Sequence, residues 1–197
     1  MEKRIAFFDF DGTITTKDTL LEFIRFSRGT ARFYAGFLLN SPYLVAYKLK
    51  LISNQTAKEK VLRFFFGQMP VNEFEEQCSR FASQVIPQLI RPRALDEIKK
   101  LQENDTKVII VSASPENWVH KWSDTLGVKT IATQLTVQEG KLTGTIAGNN
   151  CHGKEKVRRI QQNFNLKEFE EIYAYGDTSG DKPMLAIATY SFMKPFR

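Results

Sequence analysis

Hydrophobic and polar positions fall into blocks along the chain. Ile5, Ala6, Phe7 and Phe8 form an apolar run of strand length that stops at Asp9, Asp11 and Gly12. A run apolar on both faces predicts a buried parallel strand opening into a polar loop. An Asp-Gly pair between apolar runs is also a β-hairpin signal, and the residues alone leave that reading open. From position 18 to 26 the spacing is helical, with Asp18 placed to cap the start and Gly29 to end it. Positions 30 to 52 are strongly apolar but interrupted by Asn40, Ser41 and Pro42, which predicts a helix broken at Pro42. The stretches 56–66 and 71–90 read as two amphipathic helices separated by Gly67 and Pro70.

Beyond the helices the periodicity alternates. Pro92 opens a helix over 93–102, and the apolar strand 107–111 runs into Ser112, Ala113, Ser114 and Pro115. Ser114 as N-cap with Pro115 at the first helical position predicts a helix there. A strand over 131–137 leads to a small hairpin through Glu139-Gly140-Lys141 and 142–146. A helix over 153–164 carries Lys154 at its start, and the strand 172–175 ends in G-D-T-S-G-D, 176–181. A helix over 183–188 and a strand over 190–193 close the chain. One strand, four helices, then alternating strands and helices predict an α/β fold. We expect a doubly wound parallel sheet with an all-helical cap inserted after the first strand and a small β-hairpin. The expected core is 1–15 with 89–197, and the expected cap is 16–88. Three strands then end in polar loops, at Asp9 and Asp11, at Ser112, and at Asp177 and Asp181, on one edge of the sheet.

Composition narrows the function classes. The 197 residues, 42% hydrophobic and 25% charged, are those of a globular chain with a real core. Cys78 and Cys151 are the only cysteines and read as small core residues; with His120 and His152 alone beside them, zinc is set aside. No apolar export segment follows Met1, which predicts a cytoplasmic protein. The net charge of +6 is concentrated: Arg25, Arg28, Arg32, Lys48, Lys50, Lys58, Lys60 and Arg63 face Glu59 alone. Such a segment suits phosphate ligands or an anionic membrane as well as RNA. No aromatic-basic RNA motif accompanies it, so nucleic acid is not an expected partner. The uncharged run between Arg32 and Lys48 is short of the ~20 residues needed to span a bilayer. It is expected either to be buried in the cap's own bundle or to lie on a membrane surface, and the second outcome would place the protein peripherally at the inner face of the cytoplasmic membrane.

The chemistry centres on acids. Two carboxylates at the end of an apolar strand repel one another and lose solvation, so they call for a cation or for donors. Ser112 falls at the amino end of a helix, where free N–H groups favour phosphate. Together D-F-D-G-T, the strand-end serine of V-S-A-S-P, Lys154 in H-G-K-E-K and G-D-T-S-G-D-K-P-M-L resemble the four ordered motifs of the haloacid dehalogenase superfamily. The helical insertion is similar to the cap of its phosphoserine phosphatase-like subfamily, IB.

The resemblance implies a Mg²⁺-dependent phosphatase. In it Asp9 is the nucleophile that forms an aspartyl phosphate, and Asp11 is the general acid and base. Asp9, the main-chain carbonyl of Asp11 and Asp177 hold Mg²⁺, with Asp181 behind them or on a metal water. Ser112 and Lys154 hold the phosphoryl oxygens, with Gly12, Thr13 and Ala113 in the phosphate loops. Asp18 and Lys58 stand nearest to the acid and arginine that hold the amino acid in phosphoserine phosphatases. Because Asp18 is shorter and Lys58 cannot clamp a carboxylate bidentately, a dedicated phosphoserine phosphatase is not expected. The expected partner is a small phosphorylated molecule. A phosphatidylglycerophosphate-type lipid phosphate at a membrane is the alternative substrate, and a catalytically idle phosphate-binding or regulatory module is the alternative of another class.

Overall fold

The computed structural model describes residues 3–197, so the first two positions of the expected core segment 1–15 lie outside the described residues. The chain runs β1 (Arg4–Phe8), α1 (Thr19–Arg28), α2 (Thr30–Leu39), α3 (Ser41–Lys48), α4 (Asn54–Phe66), α5 (Val71–Gln84), α6 (Ile86–Leu89) and α7 (Pro92–Glu103). It continues β2 (Thr106–Pro115), α8 (Glu116–Ser123), β3 (Lys129–Thr133), β4 (Leu135–Gln138), β5 (Lys141–Ile146), α9 (Lys154–Asn163), β6 (Glu171–Gly176), α10 (Lys182–Ala186) and β7 (Tyr190–Met193).

Five strands form one parallel sheet in the order β3-β2-β1-β6-β7, and β4 pairs with β5 as the antiparallel hairpin. The parallel partners on both sides of β1 exclude the hairpin reading of Asp-Gly. Alternation of side chains across the pleat explains why β1 is apolar throughout. Ala6 and Phe8 enter the aromatic-rich layer with Ile98 and Trp118. Ile5 and Phe7 enter the opposite layer with Ile160 and Met184. Since β1 lies between β2 and β6, the loops after these three strands meet at one sheet edge.

The helices begin where side chains can satisfy free N–H groups. Asp18 accepts from the Leu21 N–H at 3.1 Å, and Ser53 accepts from Thr56 N–H at 3.0 Å, which starts α4 two residues before the expected 56. The helix expected over 71–90 instead breaks at Val85 and restarts as α6 with Pro87 in its first turn, because proline lacks the N–H that would continue α5. The strand expected over 131–137 divides at Gln134: β3 joins the main sheet and β4 leaves for the hairpin. On α1 and α5 the inward faces build an aromatic cluster. Phe23 lies 4.5 Å from Trp118 of α8, 5.3 Å from Phe66, 5.4 Å from Phe74 and 5.2 Å from Phe81, centroid to centroid. The helical insertion is thereby tied to the sheet domain through rings that each bury a large apolar area. Where the chain leaves and re-enters the sheet domain, Thr15 and Ile90 pair as an antiparallel bridge.

Pro42 opens α3 as expected, and the burial of α2 and α3 in the bundle is partial, with Phe33 in the core and Phe37 and Leu44 half-buried against it. Of α2 only Phe33 and Gly36 are buried, and of α3 no residue is. Gly36 faces the Phe64 and Phe65 rings so closely that a Cβ would stand 2.2 Å from Phe65, so α2 packs on α4 by this small stripe and leaves its other face without a partner.

Candidate active site

The site grows from the ends of β1, β2 and β6. A pocket of about 430 Å³ there is lined by Asp9, Asp11, Gly12, Asp18, Asn54, Lys58, Ala113, Ser114, His152, Lys156, Asp177, Asp181 and Arg197, among others. Asp9 sits at the first position past β1, its N–H bonded to the Tyr175 carbonyl of the neighbouring strand. Thr13 donates to Asp9 Oδ2 at 3.2 Å, so this predicted loop residue holds the carboxylate itself. Gly12 has φ +79°, and a Cβ there would lie 2.4 Å from Asp177 Oδ2, so only glycine lets the β1 and β6 loops approach this closely.

The lysine of the site is a correction. Lys154 is exposed in the first turn of α9, whereas Lys156, two residues later, is fully buried. Lys156 Nζ donates to Asp9 Oδ1 at 2.5 Å, Asp181 Oδ1 at 2.7 Å and the Val111 carbonyl at 2.8 Å. All three ammonium protons are used. The reason is helical phase: Lys156 and Ile160, one turn apart, are the buried positions of α9 and face the sheet, and Lys154 is on another face. A lysine on the apolar stripe of a helix was the available signal.

Asp11 is held differently. Its Oδ1 accepts from the N–H and hydroxyl of Thr19, both at 2.6 Å, and its Oδ2 accepts from Ser114 at 2.6 Å and Ser112 at 3.3 Å. Among the described residues the close carboxylate group is therefore Asp9, Asp177 and Asp181, and the Asp11 carboxylate stands outside it. The ligand expected at this position is the main-chain carbonyl rather than this carboxylate, whose two oxygens are engaged by Thr19, Ser112 and Ser114. Ser112 also accepts from the Ser114 N–H, so its hydroxyl turns to Asp11 in this arrangement. Ser114 is not the helix N-cap expected; Pro115 takes that position, and the Ser114 hydroxyl is drawn to the stronger acceptor, an aspartate. Thr19 and Ser114 as holders of Asp11 were missed, because hydroxyls near helix starts read first as caps.

Asp181 Oδ2 accepts from the N–H groups of Asp177 and Thr178 and from the Thr178 hydroxyl, while its Oδ1 is taken by Lys156. Saturated in this way, Asp181 shapes the loop and the lysine. Asp177 is the opposite case. Its Oδ2 pairs with Arg197 at 2.6 Å, and its Oδ1 is buried with no hydrogen-bond partner.

The electrostatics follow from burial. Desolvation pushes the Asp9 carboxyl up to about 7, with the Asp181 and Asp11 charges adding to it and Lys156 opposing. Burial, and next Asp181, also raise Asp177. Burial would lower Lys156, but Asp9 and Asp181 outweigh it and hold the ammonium above its ordinary value. Asp181 stays below the usual carboxylate range: burial opposes this, and Lys156 and the loop N–H donors prevail. An orphaned buried carboxylate oxygen next to a second raised carboxylate fits a hard divalent cation such as Mg²⁺, which takes oxygen ligands. Asp9 and Asp177 are the side chains placed to hold it.

The two predicted substrate residues do reach the pocket. Asp18 caps α1 at its rim. Lys58 Nζ donates to the Ala113 carbonyl at 2.8 Å and Asn150 Oδ1 at 3.4 Å, and burial lowers its pKa against the opposing Asp18 and Asp11 charges. His152 lines the pocket beside Gly180, where a Cβ would stand 2.2 Å from its Nε2. Cys78 and Cys151 are buried, free thiols, as expected.

Protein CicA of Caulobacter vibrioides is 35% identical over 198 residues, covering 100% of this chain and 88% of that protein. A phosphoserine phosphatase of Methanocaldococcus jannaschii is 27% identical, covering 93% of this chain and 81% of that protein. A solved structure described as a phospho-aspartyl intermediate analogue of phosphoserine phosphatase superposes with a TM-score of 0.70 at 20% identity, covering 97% of this chain and 86% of that one. Residues 6–186 match the model for haloacid dehalogenase-like hydrolases. The chain therefore belongs to the haloacid dehalogenase-like hydrolases, as an enzyme on their phosphoserine phosphatase-like side.

Proposed function

We propose that this protein is a Mg²⁺-dependent phosphatase that cleaves small organic phosphate monoesters through an aspartyl phosphate on Asp9. The observation that carries the reading is the junction of Asp9, Asp177 and Lys156 at the mouths of adjacent strands, with one Asp177 oxygen buried and unpaired. When bound, the metal would neutralise the carboxylates and the phosphoryl oxygens so that two anions can meet. The protein does the rest. Lys156 and Thr13 fix the Asp9 carboxylate for in-line attack, in which its oxygen bonds to phosphorus as the ester oxygen departs. Thr19 and Ser114 hold Asp11 in the pocket, where it gives a proton to the leaving oxygen and later takes one from the water that hydrolyses the acyl phosphate. Ser112 and the loop N–H groups, with Gly12, Thr13 and Ala113, cradle the phosphoryl oxygens.

Two further readings complete this one. The division into a core of 1–15 with 89–197 and a cap of 16–88 fits the Thr15–Ile90 bridge where the chain crosses. With two of its ammonium contacts on Ala113 and Asn150, Lys58 would act on substrate as a point charge rather than a carboxylate clamp, which argues against dedication to phosphoserine.

A lipid phosphate monoester is the second reading. Asn54 lines the pocket and donates to Tyr47 Oη at 3.1 Å, so the apolar end of α3 adjoins the pocket. The test is phosphate release from p-nitrophenyl phosphate, a panel of soluble monoesters that includes phosphoserine, and phosphatidylglycerophosphate, with Mg²⁺ and with EDTA. Intact mass after acid quench should show one phosphoryl group on the wild type and none on Asp9→Asn. Turnover that survives EDTA, or phosphoryl capture by Asp9→Asn, rejects the mechanism.

A further inference from the structure

We propose that the outer face of α2 and α3 docks the protein on an anionic lipid bilayer. Leu38, Leu39, Val45, Leu49 and Leu51 are 75%, 65%, 55%, 64% and 74% exposed, and Tyr34, Tyr43 and Tyr47 lie exposed among them. These are consecutive turns of one helix pair and its exit loop, so the exposed apolar residues are contiguous along the chain rather than scattered singly, which marks an interaction surface. No helix among the described residues is long and apolar enough to cross a membrane. Against a bilayer these helices would lie on the surface rather than cross it.

Charge selects the occupant. From Phe23 to Lys58 there is no acidic residue, and Arg32 stands before the apolar run while Lys48 and Lys50 follow it. Beside the face, a groove of about 390 Å³ is lined by Ala35, Gly36, Phe64 and Phe65 together with Arg32 and with Arg28, whose guanidinium also bonds the Phe65 carbonyl. Apolar and cationic in its lining, it suits both an acyl chain and a phosphate headgroup. A second copy of the same face would bring cation against cation. Leucines for the acyl boundary, tyrosines at headgroup level and flanking lysines make the side-chain set of an interfacial helix. Tyr47 of this face accepts from Asn54, which lines the pocket, so the docked face and the pocket are neighbours.

The docking stands independently of the phosphatase reading, and its test needs no substrate. The wild type is sedimented with vesicles of phosphatidylcholine alone and of phosphatidylcholine mixed with phosphatidylglycerol, at low and high salt. Binding is expected to the anionic vesicles and to fall with salt. At about fivefold per cation, Lys48→Gln with Lys50→Gln should weaken it about 25-fold. Leu38→Ser with Leu39→Ser should weaken it by about tenfold per leucine. Neither pair of substitutions should alter the circular dichroism or the turnover of p-nitrophenyl phosphate. Three results overturn the proposal: no binding at low salt, binding that both variants retain in full, or a concentration-dependent dimer that the leucine substitutions abolish.

Discussion

Replacing Lys156 by Met, with Lys154→Met as its partner experiment, separates the buried lysine of the site from the exposed one nearby. In Lys156→Met the side-chain volume is nearly kept, but Asp9 and Asp181 lose the ammonium that each touches within 2.7 Å. Breaking a buried ion pair from one side leaves uncompensated charge and costs about 3–5 kcal/mol, a large part of a typical domain's stability. Here a carboxyl can take up a proton, so the lower half of that range is expected. Turnover should fall as well, by about 10²–10³, because the same ammonium fixes Asp9, the proposed nucleophile, and would offset charge at the phosphoryl group. Lys154→Met, on an exposed helix face, should change stability by no more than about 0.5 kcal/mol and leave turnover intact. Urea unfolding followed by circular dichroism gives the first number and p-nitrophenyl phosphate hydrolysis the second. If Lys154→Met is the variant that loses activity, the assignment built on helical phase is wrong.

Four other outcomes follow from the geometry. Asp11→Asn should slow esters with poor leaving groups far more than p-nitrophenyl phosphate, since only the former need a proton donor; equal losses in parallel assays would remove the acid role. Mg²⁺ at about 100 times its dissociation constant should stabilise the wild type by about 2.7 kcal/mol in thermal unfolding, and Asp177→Asn should lose that shift. Gly12→Ala should destabilise by at least about 1–2 kcal/mol from its left-handed backbone alone, and should weaken Mg²⁺ in calorimetry because Asp177 is displaced. Glu155 is held down to about 2, first by its hydrogen bond to Arg158. Its contribution is thus present above its ordinary pKa of 4.5 and lost as pH falls toward 2, so Glu155→Gln should flatten the acid limb of a melting curve taken from pH 5 to 2.

The sheet and its loop-bearing strand ends were legible because β1, most of β2 and the end of β6 are buried on both faces, which writes apolar runs into the chain. Asp9, Asp11 and Asp177 were legible for the same reason, as acids at the ends of such runs. The H-G-K-E-K motif points to Lys154 and not to Lys156 because motif spacing fixes a neighbourhood, and only the phase of α9 fixes the residue. The fate of α2 was closed to sequence reasoning: an all-round apolar helix has the same pattern whether a neighbour covers its far side or not. Ser114 shows a third limit, since capping is a local competition and the winning acceptor, Asp11, lies 103 residues away.

The aromatic cluster that joins the two parts of the molecule carries an optical consequence. Trp118 is fully buried, and its indole N–H donates to the Thr19 hydroxyl at 3.1 Å. That hydroxyl in turn donates to Asp11 Oδ1 at 2.6 Å. Protonation of Asp11, or a ligand that draws it aside, rearranges the hydrogen bond at the indole with no residue between but Thr19. The environment of a natural fluorophore is thereby linked through one hydroxyl to Asp11, the proposed acid. Stopped-flow tryptophan fluorescence is expected to change during single turnovers of a Trp122→Phe background, and Thr19→Val is expected to abolish that change.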